Sequence, residues 1–149
     1  MRAVVQRVSR ASVHVDRQLA GSIGGGLVVF LGIHGNDGPD EIQWMADKII
    51  HLRIFDDDVG KMNRCLLDIG EEMLIVSQFT LYGDCRKGRR PGYTEAASPT
   101  VAEPVYQRFI EEVQKRGVSV ATGRFQATME VELVNDGPVT LLIDSEKRF

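Results

Sequence analysis

Two uninterrupted apolar runs of strand length, Leu27-Val28-Val29-Phe30-Leu31 and Met73-Leu74-Ile75-Val76, constrain this chain more than any other feature. A half-exposed strand alternates apolar and polar residues, whereas a short continuous apolar run suits a strand covered by other parts of the fold. The first run reads as a strand buried on both faces and the second as a buried strand. Upstream, Val13-His14-Val15 alternates, and Gly24-Gly25-Gly26 marks the turn before Leu27. That triplet is not a phosphate loop, because no Lys-Ser/Thr pair follows it and a strand comes next where a helix is required. Near the end, Met129, Val131 and Leu133 alternate with Thr128, Glu130 and Glu132 ahead of the apolar segment Val139 to Ile143. These two pieces are expected to pair as a hairpin.

Two amphipathic helices accompany the strands. Ile42, Met45, Ala46, Ile49 and Ile50 follow the i, i+3, i+4, i+7, i+8 pattern from Pro39 to about Ile50, with Pro39 suited to the first turn. Ala102, Val105, Tyr106, Phe109, Ile110 and Val113 mark a second helix that stops at Lys115-Arg116-Gly117, basic residues before a capping glycine. Its start is open between Pro99 and Pro104, since a proline inside the first turns conflicts with Thr100 and Glu103 acting as a capping box. Many strands with two main helices make an α+β fold, expected here as a curved or barrel-like, mainly antiparallel sheet with helices on one side.

A length of 149 residues is that of one ordinary domain, so 1–149 is expected to fold as a single unit. The 43% hydrophobic and 26% charged fractions are those of a globular protein, and no apolar run is long enough to cross a bilayer. The opening Met1-Arg2-Ala3-Val4-Val5-Gln6-Arg7 mixes apolar and charged residues unlike a signal peptide, so a cytoplasmic location is expected. Cys65 and Cys85 stand twenty residues apart without zinc-ligand companions and read as reduced thiols.

The net charge of −3 is unevenly spread: Arg86-Lys87-Gly88-Arg89-Arg90 carries four positive charges, which leaves −7 for the rest. A protein held to nucleic acid mainly by counterion release carries a broader basic face, so the run suits a local phosphate contact. The histidines, His14, His34 and His51, sit in unrelated contexts that give neither a base for a nucleophile nor a metal-ligand spacing. Ser77 and Thr80 follow a strand in Ser77-Gln78-Phe79-Thr80-Leu81, without a base that activates them. Asn-Asp-Gly-Pro occurs at 36–39 and again at 135–138, so the tetrapeptide alone specifies no function. The first copy reads as a helix entry and the second as a hairpin turn, with Val139-Thr140 completing Gly-Pro-Val-Thr. A Gly-Pro unit also makes a rigid backbone wall that another group can approach closely.

The opening Arg2 to Val8 stretch, Ser77-Gln78-Phe79-Thr80-Leu81-Tyr82-Gly83-Asp84, Lys87-Gly88-Arg89-Arg90-Pro91 and Asn135-Asp136-Gly137-Pro138-Val139-Thr140 together resemble the D-aminoacyl-tRNA deacylases over essentially the whole chain. The resemblance implies that family's fold and an obligate homodimer whose active site is built by two subunits. It implies hydrolysis of the ester of D-aminoacyl-tRNA, and of glycyl groups mischarged on tRNA-Ala, without cofactor or metal. Ser77, Gln78, Phe79 and Thr80 would stand beside the ester, with Gln78 fixing the ribose and Phe79 and Thr80 offering backbone N–H groups. The tRNA's own 2′-hydroxyl would assist, and Thr80 as covalent nucleophile is the alternative. Gly137 and Pro138, joined by a cis bond, would enter the partner's site and exclude L-aminoacyl groups. Phe125 and Met129 would pack the adenine, simple strand core being the competing reading. Arg86, Lys87, Arg89 and Arg90 would contact acceptor-stem phosphates. Gly92-Tyr93 departs from the Ser-Phe type pair expected after Pro91.

Two other classes compete. A non-catalytic, dimeric tRNA-binding module would bind charged and uncharged tRNA alike. A general esterase would need an identifiable nucleophile and base.

Overall fold

The computed structural model describes residues 1–149. Its strands are β1 (Arg2–Val15), β2 (Gln18–Ile23), β3 (Gly26–Gly32), β4 (Phe55–Asp56), β5 (Met62–Arg64), β6 (Glu72–Ser77), β7 (Val120–Thr122) and β8 (Glu130–Asp144). The helices are α1 (Pro39–Ile50), α2 (Leu66–Ile69) and α3 (Pro99–Lys115), with a 3-10 turn at Phe79–Tyr82. The long β1 is the spine. Its first half pairs antiparallel with β3, its second half with β2, and β8 runs antiparallel along its other edge from Arg2–Asp144 to His14–Glu130. Next to β3, β6 is parallel, and so is β7 next to β6. Parallel neighbours need a crossover connection, and helices lie between β3 and β6 and between β6 and β7 in the chain.

At the far ends β2 and β7 come together. A Cβ on Gly21 would lie 2.5 Å from the Thr122 carbonyl oxygen, so only a glycine lets the two backbones approach this closely. The sheet is thereby curled nearly shut, as the expected barrel-like form requires, with antiparallel pairs around β1 and parallel pairs at β3-β6-β7.

Both faces of β3 and β6 are covered. Leu27, Val29, Leu31, Met73 and Ile75 join the buried faces of α1 and α3, while Val28, Leu74 and Val76 pack with Val13 and Ile23 in a second cluster on the opposite face. This explains why neither apolar run alternates. The helix α1 has the expected bounds, and all five of its patterned residues are buried. In α3, Ser98 precedes Pro99 at the first turn, which closes the open choice, and Pro104 is accommodated inside the helix at an exposed position.

The expected hairpin near the C-terminus is not formed. Residues 130–144 are one strand, both halves of which pair with β1. Between the pairs Gln6–Thr140 and Val8–Asn135, the residues Asp136, Gly137, Pro138 and Val139 stand against Arg7 alone, so the second Asn-Asp-Gly-Pro is a bulge. The 14-residue β1 offers a template longer than either half of β8, and pairing both halves to it satisfies more backbone than pairing them to each other.

Candidate active site

At the end of β6 the Gln78 N–H still donates to the Leu31 carbonyl at 2.8 Å, and the chain then tightens into the 3-10 turn. The first bond inside that turn is Leu81 N–H to the Gln78 carbonyl at 3.3 Å. The Phe79 and Thr80 amides precede it and, like the first amides of any helix, have no partner within it. Gln78 Nε2 donates to the Thr80 hydroxyl. Arg2 braces the turn: its Nη1 donates to the Leu81 carbonyl at 3.1 Å, and its guanidinium lies 4.5 Å from the Tyr82 ring centroid. Arg2 Nε is in turn held by Asp144 at 3.1 Å. Burial, reinforced by the nearby Asp37 and Asp144 carboxylates, pushes the Tyr82 phenol well above its ordinary range, so it stays neutral.

Beside the turn lies a cavity of about 560 Å³, within the size range of small-molecule sites. Ser77, Gln78 and Phe79 line it from the β6 end, and Phe125 and Met129 line it from the connection between β7 and β8. Residues assigned to ester and to adenine are thus brought to one place, and Thr80 lies just outside, tied to Gln78. The lining includes no His, Asp, Glu, Lys or Arg. The histidines serve elsewhere: His34 contacts the Tyr82 ring at 5.6 Å, and His51 Nδ1 caps α1 beside Asp47.

The basic run forms an exposed loop closed at its foot by Asp84 and Gly92, whose backbones exchange hydrogen bonds of 2.7 and 3.0 Å. Arg86 is turned back on Asp84 at 2.8 Å and holds that carboxyl far below the usual carboxylate range. Lys87, Arg89 and Arg90 have no carboxylate partner in the chain. Tyr93 follows the loop directly, lines the cavity and sets its ring edge-on to Phe79, 5.1 Å between centroids.

Gly137 and Pro138 are not brought to this cavity. Asn135 is level with Val8 and Gly26, whereas Ser77 is level with Leu31, about 17 Å away along β3. The Gly137-Pro138 bond is trans, since the chain has no cis peptide, and this corrects the expectation from resemblance. Pro138 is exposed. The bulge itself is firmly held. The buried Arg7 donates from Nε to the Asp136 carbonyl at 3.2 Å and from Nη1 to the Ile54 carbonyl, while Asn135 Nδ2 donates to the Arg7 and Val139 carbonyls at 2.8 and 3.1 Å.

The sequence assigns no site role to Arg2 or Arg7, and Tyr93 enters it only as a departure from an expected pair. For Arg7 a signal existed, because the inward positions Ala3 and Val5 continue by period two to Arg7, where an apolar residue belongs.

Residues 4–144 match the family described as D-Tyr-tRNA(Tyr) deacylase. The chain is 64% identical over 149 residues to a D-aminoacyl-tRNA deacylase of Desulfotalea psychrophila, covering all of both proteins. It is 57% identical over 150 residues to one from Natranaerobius thermophilus, again covering all of both. Among solved structures, a c-Myc DNA unwinding element binding protein superposes with a TM-score of 0.92 at 42% identity, over 97% of this chain and 99% of that one. A probable eukaryotic D-amino acid tRNA deacylase, 18% identical with a TM-score of 0.83 over 95% and 97% of the two chains, shares the fold.

Proposed function

The chain belongs to the D-aminoacyl-tRNA deacylase family and is a hydrolase, and from that premise we propose that the cavity beside Ser77 is where the ester of a D-aminoacyl-tRNA is cleaved to free D-amino acid and tRNA. The observation that carries this reading is the convergence of Ser77, Gln78 and Phe79 with Phe125 and Met129 around one cavity. An aromatic ring and a polarizable thioether suit a purine, which places the terminal adenosine against Phe125 and Met129. Gln78 then fixes the ribose, and the scissile carbonyl meets the amides of Phe79 and Thr80, preorganised donors for the charge that develops on its oxygen.

A cavity lined without acid or base offers no partner to activate Ser77. The ester is already activated, and the adjacent 2′-hydroxyl of the tRNA is the group positioned to assist, so Thr80 acts as positioner and donor rather than as nucleophile.

Chirality is selected by Gly137 and Pro138 of a second copy. Their place midway along the β1–β8 pair, about 17 Å along the sheet from their own cavity and exposed on a bulge locked by Arg7 and Asn135, suits presentation to a partner's site. A backbone wall against the L configuration acts on every side chain alike and admits glycine, which has none to reject. Glycyl groups are therefore accepted, those mischarged on tRNA-Ala being the case that the resemblance implies, and the working form is a cytoplasmic homodimer. Lys87, Arg89 and Arg90 contact acceptor-stem phosphates, with Arg86 already engaged by Asp84.

The test is release of labelled amino acid from matched D- and L-tyrosyl-tRNA by the purified protein. Release from the D form alone supports the reading; release from both makes the protein a non-selective esterase, and release from neither leaves a tRNA-binding module. Removing the Arg89 and Arg90 charges should lower the salt dependence of tRNA binding by roughly 0.7–0.9 in log-log slope for each lost contact, without changing chirality.

A further inference from the structure

A cavity of about 560 Å³ is a space for one small ligand; with the proposed terminal aminoacyl-adenosine in it, the rest of the polynucleotide would leave across the rim. Two aromatic rings stand on that rim: Phe79 and Tyr93 both line the cavity, yet remain 56% and 40% exposed. They meet edge-to-face, at 5.1 Å and 69°, so each ring steadies the other while a large part of its surface stays open to solvent. Tyr93 also stands at the foot of the basic loop, directly after Gly92, which closes the loop on Asp84. A strand running from the cavity to the uncompensated Lys87, Arg89 and Arg90 therefore passes over the aromatic pair.

Resting on the deacylase reading for the place of the terminal adenosine, we propose that Phe79 and Tyr93 form a stacking ledge for the base of the nucleotide immediately before it. The neighbouring charge is positive and matched to phosphates, which favours a single-stranded nucleic acid end over an apolar protein segment. Base–aromatic stacking tolerates any base, so the ledge adds affinity for the RNA end without choosing among tRNAs.

Tyr93→Ala and Tyr93→Phe separate this role from a structural one. The readout is kcat/KM on D-tyrosyl-tRNA divided by kcat/KM on D-tyrosyl-adenosine, which lacks the preceding nucleotide. Tyr93→Ala should lower that ratio about tenfold, and Tyr93→Phe, which keeps the ring, by less than about twofold. A ratio unchanged in Tyr93→Ala overturns the ledge. In parallel, binding of the single-stranded RNA ACCA should weaken about tenfold more than binding of adenosine in Tyr93→Ala, and equal weakening also overturns it. If the wild-type protein hydrolyses neither ester, the deacylase reading falls while the binding comparison still decides the ledge.

Discussion

The two copies of Asn-Asp-Gly-Pro share every residue and almost no structure. In the first, the Asp37 side chain is buried, receiving the Met1 ammonium at 2.6 Å and the His34 N–H at 2.7 Å; Gly38 caps α1 at φ −130° and Pro39 opens the helix. In the second, Asp136 is more than half exposed, Gly137 takes φ +115°, and Pro138 lies on the bulge of an edge strand, where a missing N–H is tolerated. The residues that follow decide the outcome. Asp40-Glu41-Ile42 starts an amphipathic helix with acids at its positive end, whereas Val139-Thr140-Leu141 continues a strand beside β1. A turn-forming tetrapeptide therefore takes its conformation from what its flanks can pair with.

Changing the same residue in both copies should separate them most at the aspartates. Asp37→Asn leaves the buried Met1 ammonium without its counterion and should cost about 3 kcal/mol. Asp136→Asn removes a 3.2 Å pair with the buried Arg7, but Asp136 itself is open to water and Arg7 keeps the Asp136 and Ile54 carbonyls as acceptors, so the cost should be smaller, about 1–2 kcal/mol. Urea unfolding of the two variants checks the difference, and equal losses would show that burial does not distinguish the copies.

The glycines come next. At Gly137 an alanine Cβ meets the Arg7 guanidinium in a backbone region that L residues avoid, so Gly137→Ala should cost about 1–3 kcal/mol and erode rejection of L-aminoacyl-tRNA. At Gly38 the nearest atom to such a Cβ is Glu41 Oε2 at 3.6 Å, an ordinary contact, and Gly38→Ala should cost less than about 1 kcal/mol with chirality unchanged. Thermal melts with D- and L-tyrosyl-tRNA hydrolysis measure both effects. A chiral defect in both variants, or in neither, would remove the second copy's special standing.

This contrast also shows what the sequence could express. Local periodicity placed α1 from Pro39 to about Ile50, as observed, because five apolar side chains on one helical face leave little choice. The two apolar runs announced β3 and β6 for the same reason. The expected hairpin does not form because Asp-Gly chemistry is local, while the competing partner, β1, lies more than a hundred residues earlier in the chain. No periodicity marks the cavity residues as a site; the cavity was legible only through the family resemblance, which named Ser77, Gln78 and Phe79 and, across from them, Phe125 and Met129. Tyr93 was not, since its role depends on a loop closure at Asp84 and Gly92 and on the Phe79 ring, neither of which leaves a spacing signature.

A smaller difference should appear in acid. The Gly38 N–H donates to Glu41 Oε2 at 2.8 Å, and this hydrogen bond first, with the Glu41 backbone, holds the carboxyl below its ordinary value. A depressed carboxylate stabilises the fold fully above its unfolded value, about 4.3, and the stabilisation is lost as pH falls through the lowered one. The second copy is held by the amide of Asn135, which does not titrate. Glu41→Gln, which keeps the acceptor and removes the titration, should flatten the acid limb of the stability profile, and Asn135→Asp should not restore it. An unchanged acid limb in Glu41→Gln would show that the first helix entry is no more acid-sensitive than the bulge.

The least effect expected is electrostatic and confined to the bulge. Burial raises the Glu71 carboxyl, the Asp136 charge raises it further, and Arg7 opposes both. Asp136→Asn should therefore bring the Glu71 titration midpoint down toward the ordinary value without abolishing the shift, because burial, the larger cause, remains. Asp37→Asn, in the other copy, should leave that midpoint where it is. Side-chain NMR titration of Glu71 reads both. A midpoint unmoved by Asp136→Asn would mean that Arg7 already neutralises Asp136 at this range, making the bulge a closed ion pair whose charge does not reach its neighbours.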